Sequence, residues 1–335
     1  LLGPALARSW QRSQHAGLPM SGRPPGAPHA SAAQLARAME RQYELLSHAR
    51  PVMEYMAQHI RATDSVILLA DAQGMVLQAM GDDGFAQRAE RVALRPGANW
   101  SECWRGTNAI GTALAEGQAL VVHGGEHYLE RNGFLTCSAA PIVDPAGRLL
   151  GAIDISGEQR AWHPASVGHT LGLACAAARM VEHRLFDTWH AAGLRLRFHA
   201  QAEGIATLSE GLLALADDGT LIGANSNALA ALGLERGVRG GRVLREGHPR
   251  AARLEERAEE LPRVDLVVGH RDRQLDVHPR GALTPIRMIL RNCDRALVAA
   301  VRPLLPLGVG RLQVERPLDD GRVAWAGRAM HDVLG

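Results

Sequence analysis

Apolar residues recur along this chain in two patterns, one helical and one extended. From Ser31 to Ile60 they fall three, four or seven positions apart, which is typical of a helix with one buried face. Later, paired apolar runs flank turns that contain Asp or Gly in 65–79, 137–156 and 211–224, and each pair predicts a β-hairpin. Because helical stretches separate these hairpins, the pattern predicts an α+β protein with antiparallel strands.

Two further helices are predicted from capping residues and periodicity. Thr107–Glu116 is predicted to be a short helix, because Asn108 or Thr107 can cap its first turn and Gly117 can end it. A longer helix opens at Pro164. It carries an apolar stripe in steps of three and four, formed by Val167, Leu171, Ala174, Ala178, Val181 and Leu185.

The stripe has two interpretations. It either packs on the chain's own sheet or forms a coiled-coil seam that pairs two chains as a homodimer through Val167 to Leu185. After one stutter the spacing continues through Trp189, Ala192 and Leu196. This continuation predicts a connecting helix over 189–206.

The composition excludes several classes of function. The chain has 335 residues, which favours two domains at roughly 150 residues per domain. All 37 of its Lys and Arg residues are Arg, so neither a P-loop lysine nor a Schiff-base lysine is present in this sequence. A net charge of +2 is too even to indicate a nucleic-acid surface.

Candidate metal and thiol chemistry is weak. The four cysteines, Cys103, Cys137, Cys175 and Cys293, lack the spacing of a zinc site or a disulfide framework. His123-Gly-Gly-Glu-His127 has the spacing of inverted zinc peptidases, but two adjacent glycines oppose the helix that this chemistry needs, and a strand followed by a loop is more natural. We predict no metal and no cofactor.

The sequence also bears on location. No uncharged apolar run approaches about 18 residues, so no membrane span is expected. The first residues do not resemble a signal peptide, and a cytoplasmic location is expected. Since the chain does not begin with Met, we interpret it as a fragment of a longer protein.

Several local sequences resemble one family. The quoted stretches are WSECWRGTNAIGTAL from position 100, VHGGEHY from 122, CSAAPIVDPAG from 137, GAIDISG from 151 and HTLGL from 169. They closely resemble the GAF domain of sigma-54-dependent transcription activators of the acetoin-catabolism-regulator type. Ser9-Trp10-Gln-Arg-Ser resembles the leading S-W-x-R-S of that family, and residues 207–282 resemble the PAS domain that follows its GAF domain.

The resemblance implies a domain order. It consists of a leading segment and Pro/Gly-rich linker over 1–30, a GAF sensor over 31–188, a connecting helix over 189–206, a PAS-like domain over 207–282 and a linker over 283–335. The family continues into an AAA+ ATPase and a Fis-type helix-turn-helix, which are not expected in this chain. Contacts with sigma-54 RNA polymerase and DNA are therefore expected only through those missing domains.

The resemblance also implies a non-enzymatic function. A small-molecule effector would bind in the GAF cavity and control the parent protein's ATPase and DNA-binding output. Two alternatives stay open: a free methionine sulfoxide reductase of the GAF type, and a dimerisation module without a ligand. Acetoin, another small ketone or alcohol, an aromatic compound and a redox signal are all candidate effectors.

The predicted ligand-binding residues are polar or aromatic where a core would be aliphatic. They flank the central hairpin on a loop, a helix and a strand, and we expect them to converge on one cavity. They are Trp104, Asn108, His123, His127, Tyr128 and Cys137.

Overall fold

The chain divides into two compact units. In a computed structural model of the protein, the described residues are 2–21, 26–60, 63–159, 164–199, 202–215, 221–232, 277–278, 287–288, 311–317 and 323–326. The first unit comprises 1–143 and 149–185, and the second comprises 144–148 and 186–335. All strand pairs among the described residues are antiparallel, so the predicted α+β class is confirmed.

The first unit is a five-stranded sheet with helices on both faces. Its strands are β1 (Ser65–Asp71), β2 (Val76–Gly81), β3 (Leu120–His123), β4 (Leu135–Val143) and β5 (Leu149–Glu158), in the order β2-β1-β5-β4-β3. Its helices are α1 (Pro4–His15), α2 (Ala32–Arg41), α3 (Tyr43–His59), α4 (Asp83–Glu90), α5 (Glu102–Arg105), α6 (Ala109–Glu116) and most of α7 (Pro164–Trp189). The hairpins predicted over 65–79 and 137–156 are therefore confirmed.

The side chains of each strand alternate between the two faces of the sheet, so the first unit has two core clusters. Ile153 and Ile155 of β5 face a cluster with α3 and α7, whereas Cys137 and Ala139 of β4 face a cluster with α4 and α6. Successive side chains of a strand point to opposite faces, so each strand serves both clusters. We call these the α7 face and the α6 face.

Local chemistry sets the ends of α6 as predicted. The Asn108 side chain accepts the backbone N–H of Gly111 at 2.8 Å and donates to the carbonyl of Gly106 at 2.8 Å. Gly117 ends the helix with φ +64°, a left-handed conformation that favours glycine. The predicted cap and the predicted stop are both confirmed.

The long helix α7 packs on its own sheet. It reaches beyond Leu185 as predicted, and Ala174, Ala178, Val181 and Leu185 are buried in the α7-face cluster. The Glu182 carboxylate also accepts the backbone N–H of Val143 in β4 at 3.0 Å. These four side chains pack on the chain's own sheet, as the first interpretation predicts, and pairing of two chains through this helix stays a prediction. The side chain of Val167 lies outside the described residues, and Leu171 is half-buried.

The leading residues belong to the first unit. The domain order expected from the sequence placed them in a segment of their own over 1–30. The structure instead packs α1 against α5 and α6, with Leu6 buried in the α6-face cluster. Pro4 suits the first position of this helix, where its missing N–H costs no hydrogen bond.

The second unit contains a strand where a connecting helix was expected. Residues Leu194–His199 form β6, which pairs with β7 (Gly211–Leu215) and with β11 (Arg311–Pro317). The segment reads Leu-Arg-Leu-Arg-Phe-His, and this period of two is that of a strand. The helical spacing through Trp189, Ala192 and Leu196 was therefore misleading, and the predicted helix over 189–206 is wrong.

The sheet of this unit has the order β12-β11-β6-β7-β8, with β8 at Leu221–Ala224 and β12 at Val323–Ala326. The third predicted hairpin, over 211–224, is confirmed, and α8 (Ser226–Leu232) follows it. Strands β9 (Val277–His278) and β10 (Arg287–Met288) form a separate pair. Because β6, β11 and β12 join this sheet, it extends on both sides of the predicted 207–282.

Within the described residues, no helix is long and apolar enough to cross a bilayer.

Candidate functional site

Four buried polar side chains form a connected cluster on the α6 face. They are His127, Cys137, Ser156 and Asp154, and we call them the polar cluster. Cys137 Sγ lies 3.6 Å from His127 Nε2 and 3.0 Å from Ser156 Oγ. Ser156 Oγ also donates to Asp154 Oδ2 at 2.5 Å.

Strand register places these residues side by side. Cys137 of β4 pairs with Ser156 of β5, and Ala139 pairs with Asp154. Residues directly opposite one another in an antiparallel pair share a face, so Asp154 and Ser156 lie on the face of Cys137 and Ala139. Helix α6 packs against both strands.

The surroundings of the cluster are small or apolar. Asp154 also pairs across to Leu68 of β1, and Ser156 pairs across to Val66. Ala109, Ile110 and Ala113 of α6 belong to the same face. An ionised carboxylate is costly in such surroundings.

One hydrogen bond fixes the tautomer of His127. Its Nδ1 lies 3.0 Å from the carbonyl oxygen of Gly124, which can only accept, so Nδ1 carries the proton. Nε2 is then an acceptor that faces the Cys137 thiol. Burial lowers the pKa of His127 to about 4, so the ring is neutral near pH 7.

Asp154 has one oxygen without a partner. Oδ1 is buried and has no hydrogen-bond partner in the described part of the chain. Burial raises the pKa of Asp154 to about 7, despite the hydrogen bond from Ser156 that lowers it. Burial, together with the Asp154 charge, also raises the pKa of the Cys137 thiol. Near pH 7 the Asp154 carboxyl is therefore partly protonated, and the cluster can both donate and accept hydrogen bonds.

Two of the six predicted site residues meet in this cluster, namely His127 and Cys137. Tyr128 is adjacent in sequence, but its hydroxyl donates to the carbonyl of Leu18 at 3.0 Å, and its ring packs edge-on to Trp10 with centroids 5.2 Å apart. Asn108 is used as the cap of α6. Among the residues that the structure describes, neither of these two side chains forms a hydrogen bond with the polar cluster.

The remaining two predicted residues lie elsewhere. His123 pairs with Thr136, one position from Cys137 and so on the opposite face, and its Nδ1 lies 2.7 Å from Thr136 Oγ1. Trp104 is half-buried on α5 beside Gly26. The six predicted residues thus do not all converge on one point.

Asp154 and Ser156 are not among the residues predicted from the sequence. The available signal was a single acid within the run Gly-Ala-Ile-Asp-Ile, at an alternating position of a strand that is otherwise apolar. That signal points to a buried carboxyl, but the partners of such a carboxyl depend on the fold.

The His123–His127 segment has the backbone expected of a strand and a loop. β3 ends at His123, and Gly124–Glu126 forms a single 3₁₀ turn. The three cysteines that the structure describes are also apart: Cys103 is exposed on α5, Cys137 lies on the α6 face and Cys175 packs on the α7 face. A thiol-based reductase needs its cysteines in one pocket, so this arrangement does not favour one.

Comparison with known proteins places the chain in a family. The sequence profile described as "MimR, N-terminal domain" matches residues 5–183. The chain belongs to the MimR N-terminal-domain family.

Members related to this chain are named as transcription regulators. The acetoin catabolism regulatory protein of Cupriavidus necator is 34% identical over 189 residues, which cover 56% of this chain and 28% of that protein. The acetoin dehydrogenase operon activator AcoR of Bacillus subtilis is 39% identical over 140 residues, covering 42% and 22%. The propane 2-monooxygenase operon activator MimR of Mycolicibacterium smegmatis is 34% identical over 143 residues, covering 42% and 24%.

These relatives confirm the resemblance to the regulatory region of sigma-54-dependent activators. The chain covers less than a third of the length of each of the three. Among solved structures, the Escherichia coli DhaR(N)–DhaL complex matches with a TM-score of 0.49 and 18% identity, covering 76% of this chain and 87% of that one. By its family profile and its sequence relatives, this MimR N-terminal-domain chain is a regulatory region of the transcription-activator type.

Proposed function

We propose that the chain senses a small uncharged effector for a sigma-54-dependent activator. The first unit would be the GAF-type sensor, and the second unit would be PAS-like. The observation that carries this proposal is the buried, unpartnered Oδ1 of Asp154 within the polar cluster.

An unpartnered buried polar atom calls for an explanation. Leaving one unsatisfied costs about 1–3 kcal/mol, and more for a charged group, so folded proteins contain few. An effector with a hydroxyl group can donate to Oδ1, and a protonated Asp154 can donate to an effector carbonyl. The neutral His127 and the Cys137 thiol supply further polar contacts within the same cluster.

The output would pass through α7. This helix runs without interruption from the first unit, whose last residue is Leu185, to Trp189 of the second unit. Effector binding that favours one of two arrangements would need a coupling of only about 1–3 kcal/mol. In the parent protein, the AAA+ ATPase, and through it sigma-54 RNA polymerase, would receive this signal, and the Fis-type domain would hold the DNA.

Calorimetric titration tests the proposal. Acetoin is the first probe, because two relatives are named for acetoin pathways, and acetone and propan-2-ol represent other small ketones and alcohols. Asp154→Ala should weaken binding about tenfold or more, as expected for loss of a hydrogen bond to this group.

Two serines supply a matched control. Ser156 and Ser138 are both fully buried on neighbouring strands, but Ser138 pairs with Ile155 and so faces away from the polar cluster. Ser156→Ala should weaken binding, and Ser138→Ala should not. Equal affinity of Asp154→Ala and the unmodified chain would contradict the assignment of the site.

A further inference from the structure

Helix α1 is attached to the first unit chiefly by polar contacts. Leu6 is its one buried apolar side chain of large size, whereas Ser9 and Ser13 are buried polar residues. Ser9 Oγ donates to Glu102 Oε1 at 2.5 Å and lies 2.8 Å from Thr107 Oγ1 and 3.0 Å from Thr112 Oγ1. The helix therefore meets α5 and α6 through hydroxyl groups and carboxylates.

Two arginines add charge to this contact. Arg12 binds Glu102 with Nε at 2.6 Å and Nη2 at 2.9 Å, and it binds Glu116 with Nη1 at 2.6 Å. Arg8 also pairs with Glu116. When such an interface separates, both surfaces expose charged and hydroxyl groups that water hydrates well. Separation of an apolar interface would instead expose apolar surface to water.

The same segment holds the loop that carries His127. Trp10 Nε1 donates to the carbonyl of Glu126 at 2.8 Å, and Tyr128 donates to the carbonyl of Leu18 at 3.0 Å. Glu126 and Tyr128 are the two sequence neighbours of His127. His127 in turn contacts the Cys137 thiol, so the leading segment holds in place one member of the polar cluster.

We propose that residues 4–18 form a releasable lid, whose detachment frees the His127 loop and opens the polar cluster to small molecules. The lid rests on the proposed function only in that the molecule admitted would be the effector. Ser9, Trp10 and Arg12 are then positioning residues: they hold the loop and do not contact the bound molecule.

Cysteine modification tests the lid without any effector. The probe is methyl methanethiosulfonate, and the rates at single cysteines are read by peptide mass spectrometry. The modification rate at Cys137 measures access to the polar cluster, and the rate at Cys175 measures access to the opposite face of the sheet. Cys103 is exposed and serves as the accessible reference. Hydrogen exchange of residues 4–15 measures detachment of α1 in the same samples.

Arg12→Ala should raise hydrogen exchange in α1 and raise the rate at Cys137 at least tenfold, with Cys103 and Cys175 unchanged. Arg88→Ala is the matched control, because the ion pairs of Arg88 are with Asp64 and Glu158, neither of which belongs to α1. It should leave the rate at Cys137 unchanged. Raising the salt concentration on the unmodified chain should act in the same direction as Arg12→Ala, because screening weakens ion pairs.

Two results would overturn the lid. One is faster exchange in α1 with an unchanged rate at Cys137, which would show that the helix does not control access. The other is a parallel rise at Cys137 and Cys175, both in Arg12→Ala and in high salt, which would show that α1 is inseparable from the fold. Failure of every effector to bind would leave these rates readable, so the two proposals fail separately.

Discussion

Burial acts on two members of the polar cluster in opposite directions. It lowers the pKa of His127 from 6.5 to about 4, and it raises the pKa of Asp154 from 3.8 to about 7. The histidine resists gaining a proton in the folded state, and the aspartate resists losing one. Their effects on stability therefore have opposite signs over the same range of pH.

The signs follow from proton counts. Between pH 4 and 6.5 the unfolded chain protonates His127 and the folded chain does not, so this residue makes stability fall as the pH falls. Between pH 3.8 and 7 the folded chain protonates Asp154 and the unfolded chain does not, so this residue makes stability rise as the pH falls. The two contributions cancel over most of this window.

Removing one member should expose the other. Asp154→Asn should lose stability as the pH falls from 6.5 towards 4, with a slope approaching about 1.4 kcal/mol per pH unit. His127→Gln should instead gain stability over the same interval. Urea unfolding at a series of pH values measures both slopes, and parallel profiles for the two variants would contradict the predicted opposition.

Residue-level prediction succeeded where local chemistry decides the structure. Asn108 and Gly117 were identified from residue type and spacing, because a cap and a left-handed stop need only the adjacent backbone. Asp154 was not identified, because its significance arises from β1, β4 and α6, which sequence order does not bring together. His127 and Cys137 were selected because they are polar residues that flank the central hairpin, whereas the contact of Cys137 with Ser156 needed the strand register.

At the scale of elements, close packing gives α6 a sharp sequence requirement. A Cβ at Gly111 would lie 2.6 Å from the carbonyl oxygen of Trp100 and 2.8 Å from the backbone nitrogen of Glu102. Both are backbone atoms, which cannot move away as a flexible side chain could. The helix therefore approaches α5 at a distance that only glycine allows.

Two glycine substitutions should have opposite effects. Gly111→Ala should destabilise the first unit by about 1–3 kcal/mol through overpacking. Gly172→Ala, on the exposed side of α7 with no atom within 4 Å of the added Cβ, should stabilise it by roughly 0.5–1 kcal/mol. Thermal unfolding of the two variants makes the comparison, and a loss of stability in Gly172→Ala would show that this surface is covered.

The packing of α7 predicts the result of placing a charge in its stripe. Val181→Glu would bury a carboxylate in the α7-face cluster, at a cost of several kcal/mol. It should lower the melting temperature of the first unit and leave the assembly mass by light scattering unchanged.

Arg179→Glu, an exposed change on the same helix, is the control for this variant and should leave the melting temperature nearly unchanged. If only Val181→Glu lowers the assembly mass, and if it does so without lowering the melting temperature, the result would support the interpretation of the stripe as a seam between two chains.

At the scale of the whole molecule, two cores imply two unfolding events. Leu196 of β6 is fully buried and lies between β7 and β11 in the second sheet. Leu196→Asp should abolish the calorimetric transition of the second unit and spare that of the first, because each domain has its own core. Loss of both transitions together would show that the units fold as one.

The division into two units was predictable, but its position along the chain was not. Hairpins and hydrophobic periods identified a sensor-sized unit and a smaller one. The boundary falls at Leu185 within α7, and β6 begins the second sheet earlier than the helical spacing indicated. Long-range pairing with β11 decided this, and such pairing leaves little trace in a short sequence window.

The docking of α1 sets a rule for recombining activators of this kind. Consider a chimera that takes residues 31–185 from this chain and its leading segment, the counterpart of residues 1–30, from another activator. The carboxylates of Glu102 and Glu116 and the hydroxyls of Thr107 and Thr112 would then face a leading segment that did not evolve with them. The leading segment and the rest of the first unit must therefore be exchanged together. For the same reason, substitutions at Ser9 or Arg12 and at Glu102 or Glu116 should be inherited as matched pairs, with the leading segment acting as part of the sensor's own sequence.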